Sequence, residues 1–85
     1  MGECGIIRVK LLGYLSHIAG AREVEVEVCG ERRIRDLISI PDINIEELVI
    51  LVNGRTARPE DKARPGDTVT VMPHISGGWQ ALSSK

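Results

Sequence analysis

Between Arg22 and Cys29 the chain reads Arg-Glu-Val-Glu-Val-Glu-Val-Cys, and this alternation constrains the fold more than any other stretch. Period two is the period of a β-strand, whose successive side chains point to opposite faces. One face carries Val24, Val26 and Val28, and the other carries Glu23, Glu25 and Glu27. A strand that is apolar on one side and acidic on the other belongs to a sheet covered on one side only. The rest of the chain therefore has to supply one covering layer and leave the other sheet face wet.

Ile6 to Leu12 repeats the pattern, with Ile7, Val9 and Leu11 on one face and Ile6, Arg8 and Lys10 on the other. Pairing these two strands would set Arg8 and Lys10 across from the glutamates, each favourable pair contributing about a few tenths of a kcal/mol. Gly13 and Gly20 bracket Tyr14 to Ala19, where Tyr14, Leu15 and Ile18 suit one or two turns of helix. The period changes again over Glu31 to Ile38. There Ile34, Leu37 and Ile38 share a helical face, Arg32, Arg33 and Arg35 form its wet side, and Pro41 ends the helix. Leu48 to Val52 is an unbroken apolar strand stopped by the Asn53-Gly54 turn signal. After a polar excursion from Arg55 to Arg64, Pro65-Gly66-Asp67 turns into a last strand with Val69 and Val71 inward and Thr68 and Thr70 outward.

The order is strand, strand, helix, strand, strand. With the first and last strands central and parallel, joined by a right-handed crossover, this is the β-grasp layout. The expected fold class is α+β: a mixed sheet of four to five strands packed on one main helix, with a short extra helix near residues 14–19. Residues 1–76 form the domain. Residues 77–85 form a flexible C-terminal arm, made of Gly77-Gly78 and the seven-residue extension Trp79 to Lys85. Alternation also turns half of the Leu48–Val52 run outward, so Leu48, Ile50 and Val52 are candidates for an exposed partner patch unless the 55–66 loop covers them.

Eighty-five residues allow one domain, and its core must be aliphatic, since the chain has no Phe, one Tyr and one Trp. A net charge of −1 supplies no electrostatic footprint for nucleic acid, and so few aromatics make no base-stacking platform. No apolar run approaches the length of a membrane span and no signal-peptide pattern opens the chain. A cytoplasmic protein is expected, bound to neither membrane nor nucleic acid. Cys4 and Cys29 lack metal-ligand spacing. One disulfide could join them, but a reducing cytosol favours two free thiols, with Cys29 a small core or strand-end residue. His17 and His74 cannot build a metal site alone, so none is expected. Nor is there a nucleophile elbow, phosphate loop or catalytic carboxylate pair. The chain reads as one acted upon by enzymes, not as an enzyme.

The run Met72-Pro73-His74-Ile75-Ser76-Gly77-Gly78 says what is acted upon. Glycine has no Cβ, so a Gly-Gly arm leaving a sheet is thin enough to thread a narrow channel. Together with Ile7-Arg8-Val9-Lys10-Leu11-Leu12, Tyr14 to Gly20, Arg33 to Ile38, Val52-Asn53-Gly54 and Pro65-Gly66-Asp67-Thr68-Val69, it gives the sequence from Ile6 to Gly78 its resemblance to a known family. That family is the MoaD/ThiS group of ubiquitin-fold sulfur carriers, which includes the small subunit of molybdopterin synthase. The Tyr14-to-Gly20 segment resembles the MoaD branch.

The resemblance implies a chemistry for each arm residue. An ATP-dependent activating enzyme (an adenylyltransferase using ATP and Mg) would adenylate the carboxylate of Gly78, and a sulfur nucleophile would convert it to a thiocarboxylate. Pro73, His74, Ile75, Ser76 and Gly77 would line the arm inside a partner's channel; His74 stands where the family often has a second proline. The sulfur would pass to the molybdopterin synthase large subunit or to another acceptor, in thiamine synthesis or tRNA thiolation. The chain itself would bind no cofactor. It departs from the family at Trp79 to Lys85, which block the carboxyl of Gly78, so the resemblance also requires a processing peptidase. Two other readings stay open: a ubiquitin-like modifier that passes Gly78 to lysines, and a non-catalytic β-grasp interaction domain that keeps its tail. Ile50 to Arg55 followed by Arg64 to Val71 also resembles a small RNA-binding domain, but that domain has basic helices where this chain has an acidic strand.

Overall fold

A computed structural model of the chain describes residues 3–38 and 43–73. The elements are β1 (Cys4–Leu11), α1 (Leu15–Ala19), β2 (Glu23–Cys29), β3 (Arg32–Arg33) and α2 (Ile34–Leu37), then a 3-10 turn (Ile45–Glu47), β4 (Leu48–Val52), β5 (Arg55–Ala57), β6 (Lys62–Ala63) and β7 (Thr68–Pro73). Five strands form one sheet in the order β2-β1-β7-β4-β5, and β3 and β6 form a separate ribbon. The first and last strands lie together at the centre and run parallel, with Arg8 opposite Thr68 and Leu11 opposite Val71. All other neighbours are antiparallel. This is the expected mixed β-grasp sheet.

The face predictions for β1 and β7 hold. Ile7, Val9, Leu11, Val28, Ile50, Val69 and Val71 are buried under Leu15 of α1, Ile34 of α2, Ile38 and Ala63, and no polar or charged residue is buried among the described residues. Val24 shares the inward face of β2 but is 39% exposed, because it lies on the edge strand. On the wet face Arg8 lies opposite Glu25 and Lys10 opposite Glu23. The Arg8 Nε sits 3.8 Å from Glu23 and 3.6 Å from Glu25, with all three side chains well exposed, so each pair contributes about 0–1 kcal/mol.

The expected helix over Glu31 to Ile38 is shorter than its periodicity suggests. Arg32 and Arg33 are extended and pair with Ala63 and Lys62. The helical turn starts only at Ile34, whose N–H donates to the Asp61 carbonyl at 2.9 Å, while Arg35 N–H donates to Pro59 at 3.0 Å. Carbonyls of the polar 58–61 loop thus take up N–H groups that a helix start leaves without intrahelical partners. The loop is tied to this layer a second time by Arg35, whose guanidinium bridges Glu60 and Glu46.

Asn53 and Asp67 join the two turn motifs. Asn53 and Gly54 both take positive φ (53° and 87°), as a two-residue type I′ hairpin requires. The Asn53 Nδ2 donates to Asp67 Oδ1 at 3.0 Å, and Asn53 Oδ1 accepts the Thr68 N–H at 3.0 Å. The second carboxylate oxygen of Asp67 accepts the Arg64 N–H at 2.9 Å, and its carbonyl accepts the Arg8 N–H at 3.1 Å. One residue therefore ties the β4–β5 hairpin, the turn into β7 and the start of the parallel pairing.

The cysteines overturn the expectation of two free thiols. Antiparallel pairing sets Cys4 directly opposite Cys29, and a disulfide joins them. Their separation of 25 residues hid a register that only the β1–β2 pairing reveals. Cys29 ends its strand as expected, but it is exposed on the acidic face and not in the core.

Two substitutions test these assignments by urea denaturation. Asp67→Ala removes the acceptor shared by the Arg64 N–H and the Asn53 amide, both exposed, and is expected to lower stability by about 1 kcal/mol with an unchanged m-value. Ile34→Ala removes the fully buried side chain that attaches α2, and is expected to cost about 2–5 kcal/mol.

Candidate functional site

The candidate site is the point where the chain leaves the sheet. Strand β7 is held on both sides, by β1 as far as Val71 and by β4 up to its last residue. Pro73 lies opposite Leu48 of β4 and is buried. On the other side Leu12 N–H donates to the Val71 carbonyl at 2.9 Å. Gly13 then turns the chain away with φ of 63°, and a Cβ there would meet the Pro73 ring at 3.3 Å. Glycine at 13 thus both takes the left-handed turn and makes room for the proline. In the sequence Gly13 reads only as a helix bracket; its seat for Pro73 depends on a parallel pairing that composition does not reveal.

Of the arm residues singled out above, only Pro73 falls within the described residues, where it ends β7. His74, Ile75, Ser76, Gly77 and Gly78 lie outside them, as do Trp79 to Lys85 and the 77–85 arm as a unit.

The partner patch requires correction. Leu48, Ile50 and Val52 face the core: Ile50 is 1% exposed, and Leu48 and Val52 are partly buried against the same cluster. Their phase follows from register, since Leu48, Ile50 and Val52 lie opposite Pro73, Val71 and Val69, all buried. The side chains turned to the wet face are Val49 and Leu51, both half-buried, opposite Met72 and Thr70. Leu12, 43% exposed, leaves β1 beside the end of β7. A run of five apolar residues has no phase of its own. The phase is carried by the alternation in β7, once the pairing partner is known.

Among the described residues no group of three or more His, Cys, Asp or Glu side chains could hold a metal ion, and no helix is long and apolar enough to cross a membrane.

Comparison with known proteins extends this picture across the arm. The ThiS family model matches residues 9–78, from within β1 to the second glycine of the arm. Among solved structures, the crystal structure of SAMP1 from Haloferax volcanii is 25% identical, covers 87% of this chain and all of that one, and superposes with a TM-score of 0.68. The structure described as molybdopterin converting factor, subunit 1, from Pyrococcus furiosus is 25% identical over 84% of this chain and 99% of its own, with a TM-score of 0.64. The solution structure of small archaeal modifier protein 1 from Methanosarcina acetivorans, at 21% identity and a TM-score of 0.62 over 91% of this chain and 100% of its own, shares the fold.

The corrected phase of β4 has a direct test. Ile50→Ala is expected to lower stability by roughly 2–5 kcal/mol, whereas Val49→Ser on the opposite face should change it by about 1 kcal/mol or less. Equal losses in urea denaturation would show that both faces of β4 are packed.

Proposed function

The chain belongs to the ThiS family, and on that premise we propose that it carries sulfur on the carboxyl of Gly78, freed by removal of Trp79 to Lys85. As a family member it is a small carrier and not a catalyst. The observation that supports the reading is the placement of Pro73. The arm starts at the end of a central strand braced on both sides, so its root is fixed. Gly78 lies five residues beyond Pro73, a reach of at most about 18 Å when extended. Gly77 and Gly78 add no side-chain width to the last part of that reach.

The chemistry needs a free carboxylate. An activating adenylyltransferase, using ATP and Mg, lets a Gly78 carboxylate oxygen attack the α-phosphorus and expel pyrophosphate. A sulfur nucleophile then displaces AMP from the acyl carbon, leaving the thiocarboxylate. A peptide bond to Trp79 has no such oxygen to offer, and so a peptidase must act first. Because activation consumes ATP, this reading puts the chain in the cytoplasm. The sulfur passes to an acceptor such as the large subunit of molybdopterin synthase or a thiamine or tRNA thiolation enzyme. Val49, Leu51 and Met72, on the uncovered face next to the arm root, are the side chains for such a partner to grip.

A second reading shares the first step. The Haloferax volcanii protein of similar fold is a small archaeal modifier protein, and passing an activated Gly78 to a lysine amine instead of to sulfur would make this chain a modifier as well. The third reading, an interaction domain that keeps its tail, needs no activation.

A chain ending at Gly78 is expected to support ATP–pyrophosphate exchange by the adenylyltransferase that co-purifies with it, and the chain of 85 residues is not. Equal exchange with both would refute the processing step. Intact mass on material from native cells separates the readings: a terminus at Gly78 with oxygen replaced by sulfur marks the carrier, Gly78 remnants on lysines mark the modifier, and residues 79–85 retained in all material mark the interaction domain.

A further inference from the structure

We propose that the Cys4–Cys29 disulfide is a reversible redox-modification site, opened by a dithiol in the folded chain, which sets the strength of the sheet corner farthest from the arm. Three features of the site lead there. The first is its place in the ladder. Gly30 N–H donates to the Glu3 carbonyl at 2.8 Å, so Glu3–Gly30 is a hydrogen-bonded pair and Cys4–Cys29, one step along, is a pair without backbone hydrogen bonds. The sulfur bond is therefore the direct tie between these two residues.

The second feature is access. Both cysteines are exposed on the wet face of the sheet. They help line an open cleft of about 570 Å³ together with Gly5, Ile6, Glu27 and Arg32. A dithiol can enter there and reach the sulfurs without any strand separating. The guanidinium of Arg32 on the wall favours a departing thiolate, while the Glu27 carboxylate opposes it.

The third feature is what else holds the corner. Among the described residues, strand β2 is an edge strand with no neighbour on its outer side. The parallel pairing of β1 to β7 begins only at Arg8. Ahead of it, the opposite side of β1 meets the turn at Pro65–Gly66, through the Gly66 N–H to the Ile6 carbonyl at 2.9 Å and through Gly5, where a Cβ would come within 2.9 Å of the Pro65 side chain. The arm leaves from the other end of β1, seven residues on from Cys4 or about 23 Å away along the strand. Opening the disulfide should thus loosen Cys4 to Ile7 and the end of β2 while the seat of Pro73 stays intact.

The step balances as ordinary thiol–disulfide exchange. A thiolate of the dithiol attacks one cysteine Sγ, the protein S–S bond breaks, and the other Sγ leaves as a thiolate that takes up a proton. The second thiol of the reagent then attacks the mixed disulfide, closes the reagent's own ring and releases the remaining cysteine as a thiol. Two electrons and two protons pass to the protein, and an oxidised dithiol reverses the sequence.

The test uses the full chain with dithiothreitol as the probe. Two titratable thiols per chain are expected to appear in native buffer and to disappear again with the oxidised reagent. In the reduced chain, amide exchange should quicken at Gly5, Val28 and Gly30 but not at Leu12. The unfolded fraction should rise by roughly a few hundredfold, as loss of a cross-link of this span implies. The double variant Cys4→Ser, Cys29→Ser should match the reduced chain and ignore the reagent. Thiols that appear only in denaturant would overturn the proposal. So would a reduced chain that exchanges and unfolds like the oxidised one, or two native thiols that the oxidised reagent never closes.

Discussion

The parallel pairing of β1 with β7 is the constraint on which the rest depends. Parallel neighbours cannot be joined by a tight hairpin, so everything between residues 12 and 67 must serve as the crossover that brings the last strand beside the first. The crossover supplies the single covering layer, from α1, α2 and the short β3–β6 ribbon, and two more strands to flank the pair. Asp67 sets where the pairing starts. Its carbonyl takes the Arg8 N–H, while its carboxylate holds Asn53 at the far hairpin and closes its own turn on Arg64. A slip of one residue would turn Val69 and Val71 to the wet face and break all of these bonds at once.

Covering the sheet on one side only has a functional side. The layer over Ile7, Val9, Val69 and Val71 provides the apolar burial that such a short chain needs, and it leaves the opposite face wet. That face is graded. Its β2 edge carries Glu23, Glu25 and Glu27 around Arg8, and its β4 side carries Val49, Leu51 and Met72 next to the root of the arm. On the proposed carrier reading, a partner that grips the aliphatic side would come within reach of a carboxyl freed at Gly78.

What could be read in the sequence follows the same division. The β2, β1 and β7 strands were legible because each alternates apolar with polar residues and so reports its own two faces. The phase of β4 was not, since Leu48 to Val52 are apolar throughout and only pairing with β7 assigns Ile50 inward and Leu51 outward. Helix α2 shrank for a related reason. Ile34, Leu37 and Ile38 have helical spacing, but Arg32 and Arg33 found strand partners in Lys62 and Ala63, 30 residues away. The disulfide escaped for the most physical reason of all. Cys4 and Cys29 become neighbours only through an antiparallel register that counts back from Lys10 and Glu23.

The positions of Pro73 and Cys4 at opposite ends of the central pair also separate two demands on a small carrier. On the proposed carrier reading the arm end would have to stay unencumbered for its carboxyl to enter an enzyme, and its root is held by the β4 ladder and by a proline ring against a glycine that tolerates it. The other end can hold a covalent fastener without obstructing that access. A disulfide near the arm would widen it and place a second sulfur beside the one being carried, where thiol exchange could divert the cargo. At the far corner the same bond can stiffen the fold, or release it, with the chemistry at Gly78 left out of its reach.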